Sequence, residues 1–226
     1  MTNKEIASTV DRYFFATIGM FLSAVGIAMT IVSNIGTAPL SCPSYVMNLR
    51  FPAVSVGTWT LIVNCTYMLI QLALLRKQFK AADLLQVVAS AIFGYMIDIS
   101  LAGMGWLNPS GMPARIGVTV LACFISAIGV SMEVIARAWM LSAEMTAAAL
   151  ARVSGKKFSS MKIAMDCTVV ALSILASLLF FRNPWGDGQY VVIGIGTVLC
   201  AVLIGLMMKL TDPLVARLVR RRAWNS

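Results

Sequence analysis

Charged side chains inside apolar stretches are the residues of this chain best suited to chemistry. Residues 125–145 read "ISAIGVSMEVIARAWMLSAEM", with Glu133 and Arg137 one helical turn apart and Glu144 shortly after them. Another carboxyl group, Asp166, lies in a second apolar stretch. Arg137 is suited to hold an anionic group. Glu133 and Asp166 are suited to a cationic group or a coupling proton, with Glu144 as a further acidic candidate.

Neutral polar residues in the first half of the chain extend this candidate substrate site. Thr30 and Asn34 are four residues apart, as the two central charges are, and therefore share one face of a helix. Ser41 and Asn64 add further hydrogen-bonding groups. The mixture of both charge signs with neutral groups favours an amphoteric solute, such as an amino-acid-like metabolite.

These residues also have a purely structural interpretation, which the sequence leaves open. Glu133 and Arg137 could neutralise each other as an i, i+4 ion pair that locks their helix to its neighbours. Asn64 and Asp166 could be hydrogen-bonding groups between packed helices. Charged groups within a membrane nevertheless cost about 2.5–3.5 kcal/mol each even on permissive scales, and so are functional candidates by default.

The elements that must position these side chains are membrane-spanning helices. The chain has 226 residues, of which 59% are hydrophobic and only 12% charged. Soluble domains carry about 25% charged residues, so this composition indicates a membrane protein. A span needs about 20 apolar residues, and six stretches are long enough: approximately 13–34, 57–75, 82–101, 116–140, 160–181 and 189–210. The first is too long for a signal-peptide core and is expected to be retained.

The basic residues predict the orientation of these spans. Fourteen of the 18 fall before the first span, between the second and third, between the fourth and fifth, or after the sixth. The positive-inside rule therefore predicts that both termini are cytoplasmic. The net charge of +9 is interpreted as this topology signal, with the lipid bilayer as partner and no nucleic-acid role.

The chain lacks the residues that several classes of function require. The chain has no histidine, and its five cysteines are scattered without a C-x-x-C pair. We therefore predict no metal site, no nucleophile activated by histidine and no enzyme activity. A phosphate-binding loop and a dinucleotide fingerprint are also missing, so no cofactor is expected. Any energy coupling must come from an ion gradient or a partner protein.

An internal repeat organises the chain. The segment "FLSAVGIAM" (21–29) returns as "FISAIGVSM" (124–132), and "NCT" (64–66) returns as "DCT" (166–168). A weaker third match aligns residues 88–98 with 199–209. Three spans in each unit would invert the second unit relative to the first. The predicted fold is an all-α membrane protein in one integral domain, with six transmembrane helices as two inverted three-helix repeats. The units are about 13–103 and 115–212, followed by a basic cytoplasmic tail, 213–226.

A short broken or amphipathic helix is expected after helices 1 and 4. In the first unit Gly36 and Pro39 interrupt the chain, and Ser41 can cap a new helix. Transporters use such broken ends to hold polar substrates or ions. The alternative is a surface helix that lies along the membrane interface.

The sequence also resembles a known family. The segments "GIAMTIVSNIGTAPLSCPSYVMNL", "SVGTWTLIVNCTYMLIQ" and "GIGTVLCAVLIGLMMKLTDPL" are similar to the YczE/YyaS/YitT family of bacterial integral membrane proteins. The likeness runs from the first helix to Leu214. It implies a multi-spanning protein of the bacterial inner membrane, and it implies no substrate and no binding residues.

These features favour a secondary transporter of a small polar or charged solute that works by alternating access. A channel derived from a dual-topology ancestor would duplicate in the same way. Two further hypotheses are the membrane-embedded binding subunit of a larger importer and a non-transporting regulatory or scaffold protein. A homodimer or a complex with a partner membrane protein stays open.

Overall fold

The computed structural model describes residues 3–76, 84–136 and 141–225. The regular elements of these ranges are helical, apart from one isolated bridge between Gly186 and Val191. The eight α-helices are α1 (Asn3–Ser33), α2 (Cys42–Arg50), α3 (Val56–Leu75), α4 (Leu85–Gly103), α5 (Met112–Ala136), α6 (Ser142–Ser154), α7 (Phe158–Phe181) and α8 (Ile195–Asn225). A 3-10 helix at Pro39–Ser41 precedes α2.

Six of these helices are long and apolar enough to cross a membrane, namely α1, α3, α4, α5, α7 and α8. The prediction of six spans is therefore confirmed. The two remaining helices, α2 and α6, are short and follow the first and the fourth span, where short helices were expected. Residues 137–140, predicted as the end of the fourth span, lie outside the described residues.

The last span begins later than the sequence predicts. We expected a helix from residue 189, whereas α8 begins at Ile195. The backbone before it is hydrogen-bonded elsewhere, because Val192 accepts a bond from the Thr37 amide at 2.9 Å and donates one to the Trp185 carbonyl at 2.8 Å. A backbone committed to these contacts cannot also form helical hydrogen bonds.

The two central helices, α1 and α5, cross through small residues. A methyl group on Gly19 would lie 2.7 Å from the carbonyl oxygen of Gly129, and one on Gly26 would lie 2.9 Å from that of Ala122. Residue numbers along α5 fall as those along α1 rise, so the two helices run antiparallel. Small residues allow the close approach on which helix association in membranes depends.

The other helices pack around this central pair. On one side α4 contacts α1, and on the other side α8 contacts α5. The short helix α2 contacts α3 and α7, while the short helix α6 contacts α7 and α3. Both short helices are therefore held between the second spans of the two halves.

Candidate functional site

The candidate site is a cavity of about 450 Å³ between the two short helices and the spans. Its walls come from α1, α3, α4, α5, α7 and α8, and from the N-terminal ends of α2 and α6. Most of the wall is apolar, with a small number of polar groups. Volumes of about 300–1,000 Å³ with this kind of lining are typical of small-molecule sites.

Three carboxyl groups and one ammonium group line this cavity. The carboxyl groups belong to Glu133, Glu144 and Asp166, and the ammonium group to Lys162. Lys162 Nζ lies 2.8 Å from Asp166 Oδ1, one turn along α7, so these two charges form an ion pair. Ser23 Oγ donates a hydrogen bond of 2.8 Å to Glu133 Oε1 across the contact between α1 and α5.

Glu144 lies in the first turn of α6, and a polar network on α3 fixes this turn. Gln71 is fully buried, and its Nε2 donates to the Ser142 carbonyl at 2.8 Å and to Thr146 Oγ1 at 3.0 Å. It also bonds to Gln86 Oε1 of α4 at 3.1 Å. The network thus connects α3, α4 and α6, and it sets the position of the Glu144 carboxyl group.

The Glu144 carboxyl group is only partly compensated by its surroundings. Its Oε2 is buried and has no hydrogen-bond partner among the described residues. Burial raises the pKa of Glu144, and the neighbouring Asp166 raises it further, while Lys162 acts in the opposite direction. A buried carboxyl group without a partner favours its neutral form until a positive charge approaches it.

The neutral wall of the cavity comes from the first half of the chain. Ser41 and Ser44, at the start of α2, line it together with Thr60 and Asn64 of α3. Asn64 Nδ2 donates to the Thr60 carbonyl at 3.0 Å. Ser44 is only 1% exposed, and its hydroxyl oxygen has no partner among the described residues. A buried hydroxyl group in this state keeps its hydrogen-bonding capacity available to a molecule in the cavity.

The polar lining follows the sequence repeat. Ser41 corresponds to Glu144 at an offset of 103 residues, and Asn64 corresponds to Asp166 at an offset of 102, the offsets of the quoted repeat segments. All four line the cavity. In both pairs the first residue is neutral and the second carries a carboxyl group. Residues that correspond in the sequence repeat therefore line the cavity together.

Five of the eight predicted site residues line this cavity: Ser41, Asn64, Glu133, Glu144 and Asp166. Arg137 lies outside the described residues, so its relation to Glu133 stays a prediction. Thr30 and Asn34 are not among the lining residues.

Thr30 and Asn34 are used in the turn that follows α1. Thr30 Oγ1 donates to the Ile27 carbonyl at 2.7 Å and lies 3.0 Å from Thr37 Oγ1. Asn34 adopts a left-handed conformation with φ of 53°, and its side chain accepts a hydrogen bond of 2.6 Å from the Val191 amide. These contacts explain why both side chains face the turn instead of the cavity.

Sequence reasoning missed several lining residues. Lys162 is not among the predicted site residues, because a lysine near a span end commonly reaches for the membrane surface, whereas it lines the cavity and pairs with Asp166. Ser44, Tyr67 and Phe93 also line the cavity and were not selected. The repeat offset could have found Lys162, because at 102 residues it corresponds to Thr60, one helical turn before the "NCT" segment. The aromatic residues carry no such signal.

Within the described ranges, no group of three or more His, Cys, Asp or Glu side chains lies close enough together to hold a metal ion.

Similarity to known proteins extends over most of the chain. Residues 10–213 match the sequence model of a family of unknown function, DUF6198. The uncharacterized protein YyaS of Bacillus subtilis (strain 168) is 24% identical over 208 residues, which are 91% of this chain and 94% of that protein. No solved structure matches the chain. The resemblance found in the sequence is confirmed as similarity to a YyaS-like family.

Proposed function

Because the chain belongs to this family of unknown function, DUF6198, we propose its activity from its own geometry. It is a secondary transporter that moves a small polar or charged solute by alternating access between two inverted repeats. The observation that carries this proposal is the cavity, which lies between equivalent elements of the two halves and contains charged groups at span positions. Secondary transporters with inverted repeats bind their solutes at such an interface.

The helix contacts support an inverted arrangement. Antiparallel α1 and α5 are the first spans of the two units, so their opposite directions are those that an inverted repeat requires. The contact of α1 with α4 has its counterpart in that of α5 with α8. The contact of α2 with α7 likewise has its counterpart in that of α6 with α3.

A pair of arginines supports the same arrangement. Arg12 Nε donates to the carbonyl oxygen of Ala136, at the end of α5, at 2.9 Å. Arg115, 103 residues later, donates from Nη1 to the carbonyl oxygen of Asn34, just after α1, at 3.3 Å. A cation at a helix C-terminus is favourable because the last carbonyl groups lack partners there. Each half thus contributes an arginine that binds the end of the other half's first span.

The location follows from the spans and the basic residues. Six apolar helices make the chain a multi-pass membrane protein. The proposed orientation places both termini in the cytoplasm of a bacterial cell, with the solute site at the depth of the inner membrane. Lipid and solute are then the partners that the function needs.

Alternating access is testable without knowledge of the solute. In a variant whose five native cysteines are alanine, Ser44→Cys places one thiol in the cavity wall. We expect a membrane-impermeant cationic methanethiosulfonate reagent to modify it from either side of oriented vesicles. Two matched controls use the same background. Ser154→Cys on the last turn of α6 reports sidedness, and restored Cys167, which is exposed on α7, reports the bundle exterior.

The three results separate the hypotheses. Modification of the Ser44→Cys thiol from both sides supports transport through the cavity, by the proposed transporter or by the channel alternative. Modification from one side alone contradicts alternating access and favours a binding subunit of an importer. Modification from neither side, with both controls behaving as expected, contradicts transport and favours a scaffold role.

A further inference from the structure

We infer that the solute of this cavity is an organic cation, with an ammonium group held by Glu144 and Glu133 and an apolar body against Tyr67 and Phe93. This inference rests on the proposed function, because it assigns the substrate class of the same cavity. The sequence favours an amphoteric solute, which carries both charge signs. The structure narrows this expectation to a solute that carries a positive charge.

The charge of the wall is the first reason. Among the described lining residues, Lys162 carries the only positive charge, and three residues carry carboxyl groups. Lys162 is already paired with Asp166 at 2.8 Å. Lys162 also acts on Glu144 at longer range, but within the described part of the wall no lysine or arginine forms an ion pair with Glu133 or Glu144. A solute that brings a positive charge would supply such a partner.

Hydrogen bonding is the second and independent reason. Ser44 Oγ belongs to a side chain that is 1% exposed and lines the cavity, and it has no partner among the described residues. Glu144 Oε2, also buried, has none there either. An ammonium group offers up to three N–H donors, and both of these oxygens accept hydrogen bonds. The Ser44 hydroxyl group could also donate to a carboxylate or phosphate solute, but such a solute would place a further negative charge beside Glu133 and Glu144.

The remaining wall suits the organic part of such a cation. Tyr67 and Phe93 contribute aromatic rings, and Ile27, Val63 and Ile204 contribute aliphatic side chains. Aromatic faces attract cations, most strongly where water is excluded. A bare metal ion would gain nothing from such a wall, and the described residues offer no cluster of three ligands for one.

The test compares probes of one shape and different charge. Cyclohexylammonium, cyclohexanecarboxylate and cyclohexanol are titrated against the full chain in lipid nanodiscs, with the binding heat as readout. We expect cyclohexylammonium to bind at least tenfold more tightly than the other two. Glu144→Gln should weaken cyclohexylammonium binding about tenfold, which corresponds to 1.4 kcal/mol. Asp187→Asn, at an exposed acid outside the cavity, is the matched control and should leave the affinity unchanged.

A charge relocation tests the role of the wall as a whole. Ser41 and Glu144 line the cavity from equivalent positions. The double variant Ser41→Glu, Glu144→Ser should therefore regain cation selectivity that Glu144→Ser loses. If both variants lose their selectivity for the cation, that selectivity depends on the position of Glu144 itself. This result would contradict the equivalence of the Ser41 and Glu144 positions.

The outcomes separate this inference from the proposed function. Tighter binding of cyclohexanecarboxylate, equal binding of all three probes, or no binding of any of them overturns the cation assignment. Binding of cyclohexylammonium without its efflux from vesicles supports the assignment and contradicts the transporter. Access of the Ser44→Cys thiol from both sides, with no preference for the cation, supports the transporter and contradicts the cation assignment.

Discussion

Gly26 and Gly129 occupy equivalent positions in the two halves of the chain, and each packs against the helix that carries the other. A methyl group on Gly26 would overlap Ser126 Oγ, and one on Gly129 would lie 2.5 Å from Ser23 Oγ. Ser23 and Ser126 are themselves separated by the same 103 residues as the two glycines. The crossing of α1 and α5 is therefore reciprocal. Each of the two similar segments supplies both the gap and the group that fills it.

This crossing predicts a difference in stability between substitutions of glycines inside the contact of α1 and α5 and of a glycine outside it. Gly26→Ala and Gly129→Ala should each lower the free energy of unfolding by about 1–3 kcal/mol, because the added methyl group overpacks the contact. Gly117→Ala on α5 is the matched control, since a methyl group there would meet no atom within 4 Å. The melting temperature in detergent, followed by tryptophan fluorescence, measures the difference. Equal melting temperatures for the three variants would contradict a tight crossing.

Substitution of Gln71, the buried glutamine of α3, is expected to lower both the stability of the fold and the affinity for cyclohexylammonium. Gln71→Ala removes hydrogen bonds to Gln86, the Ser142 carbonyl and Thr146. Each buried polar group left without a partner costs about 1–3 kcal/mol. We expect a lower melting temperature together with weaker cyclohexylammonium binding, because the start of α6 positions Glu144. Gln189→Ala, at an exposed glutamine, should change neither quantity. Loss of stability with unchanged affinity would mean that the network does not position the acid.

Substitution of Asp98 is expected to lower the stability of the fold without changing the affinity for cyclohexylammonium. Its carboxylate accepts hydrogen bonds from the Gly57 amide at 2.8 Å and from Ser55 Oγ at 2.6 Å, at the start of α3. It is not among the residues that line the cavity. Asp98→Ala should destabilise the fold by about 0.5–2 kcal/mol, as loss of a helix cap does. The dissociation constant of cyclohexylammonium should stay the same. A weaker affinity at unchanged melting temperature would place Asp98 in the binding site instead.

The parts of the fold that the sequence predicts are those that depend on local pattern. Continuous apolar stretches define the six spans, and the breaks at Gly36 and Pro39 indicate the short helix α2. The repeat pairs Ser41 with Glu144, and both line the cavity. Membrane helices are predictable to this extent because each one satisfies its own backbone hydrogen bonds.

The parts that the sequence does not predict depend on contacts between distant segments. Asn34 has the spacing of a site residue, but its side chain bonds to the Val191 amide, 157 residues away. The segment that contains Val191 also delays the start of α8 to Ile195, because its backbone forms hydrogen bonds with the turn after α1. Lys162 is in a span end where lysines commonly reach for the interface, and only the position of Asp166 and of the cavity reveals its role.

The cavity also predicts how cation binding depends on pH. Glu144 faces Lys162 and Asp166 of α7, Glu133 of α5 and Tyr67 of α3. Burial holds the pKa of Glu144 above the ordinary glutamate value of about 4.3. Below its raised pKa the carboxyl group is neutral and offers the cation no countercharge. Cyclohexylammonium should therefore bind more tightly as the pH rises through the raised pKa of Glu144, since an amine with a pKa near that of lysine, about 10.4, stays charged to pH 8.

The same titration predicts that a proton leaves when the cation binds. A bound ammonium group stabilises the Glu144 carboxylate, so at a pH where the empty site holds this proton, binding should release it. Calorimetry in two buffers of different ionisation enthalpy counts the protons released. Glu144→Gln should abolish this release and flatten the pH dependence, whereas Asp187→Asn should leave both intact. A pH dependence that persists in Glu144→Gln would assign the proton to another group. Proton release at Glu144 would make the cavity a site where a cation and a proton exclude each other, which is the requirement for exchanging one against the other across a membrane.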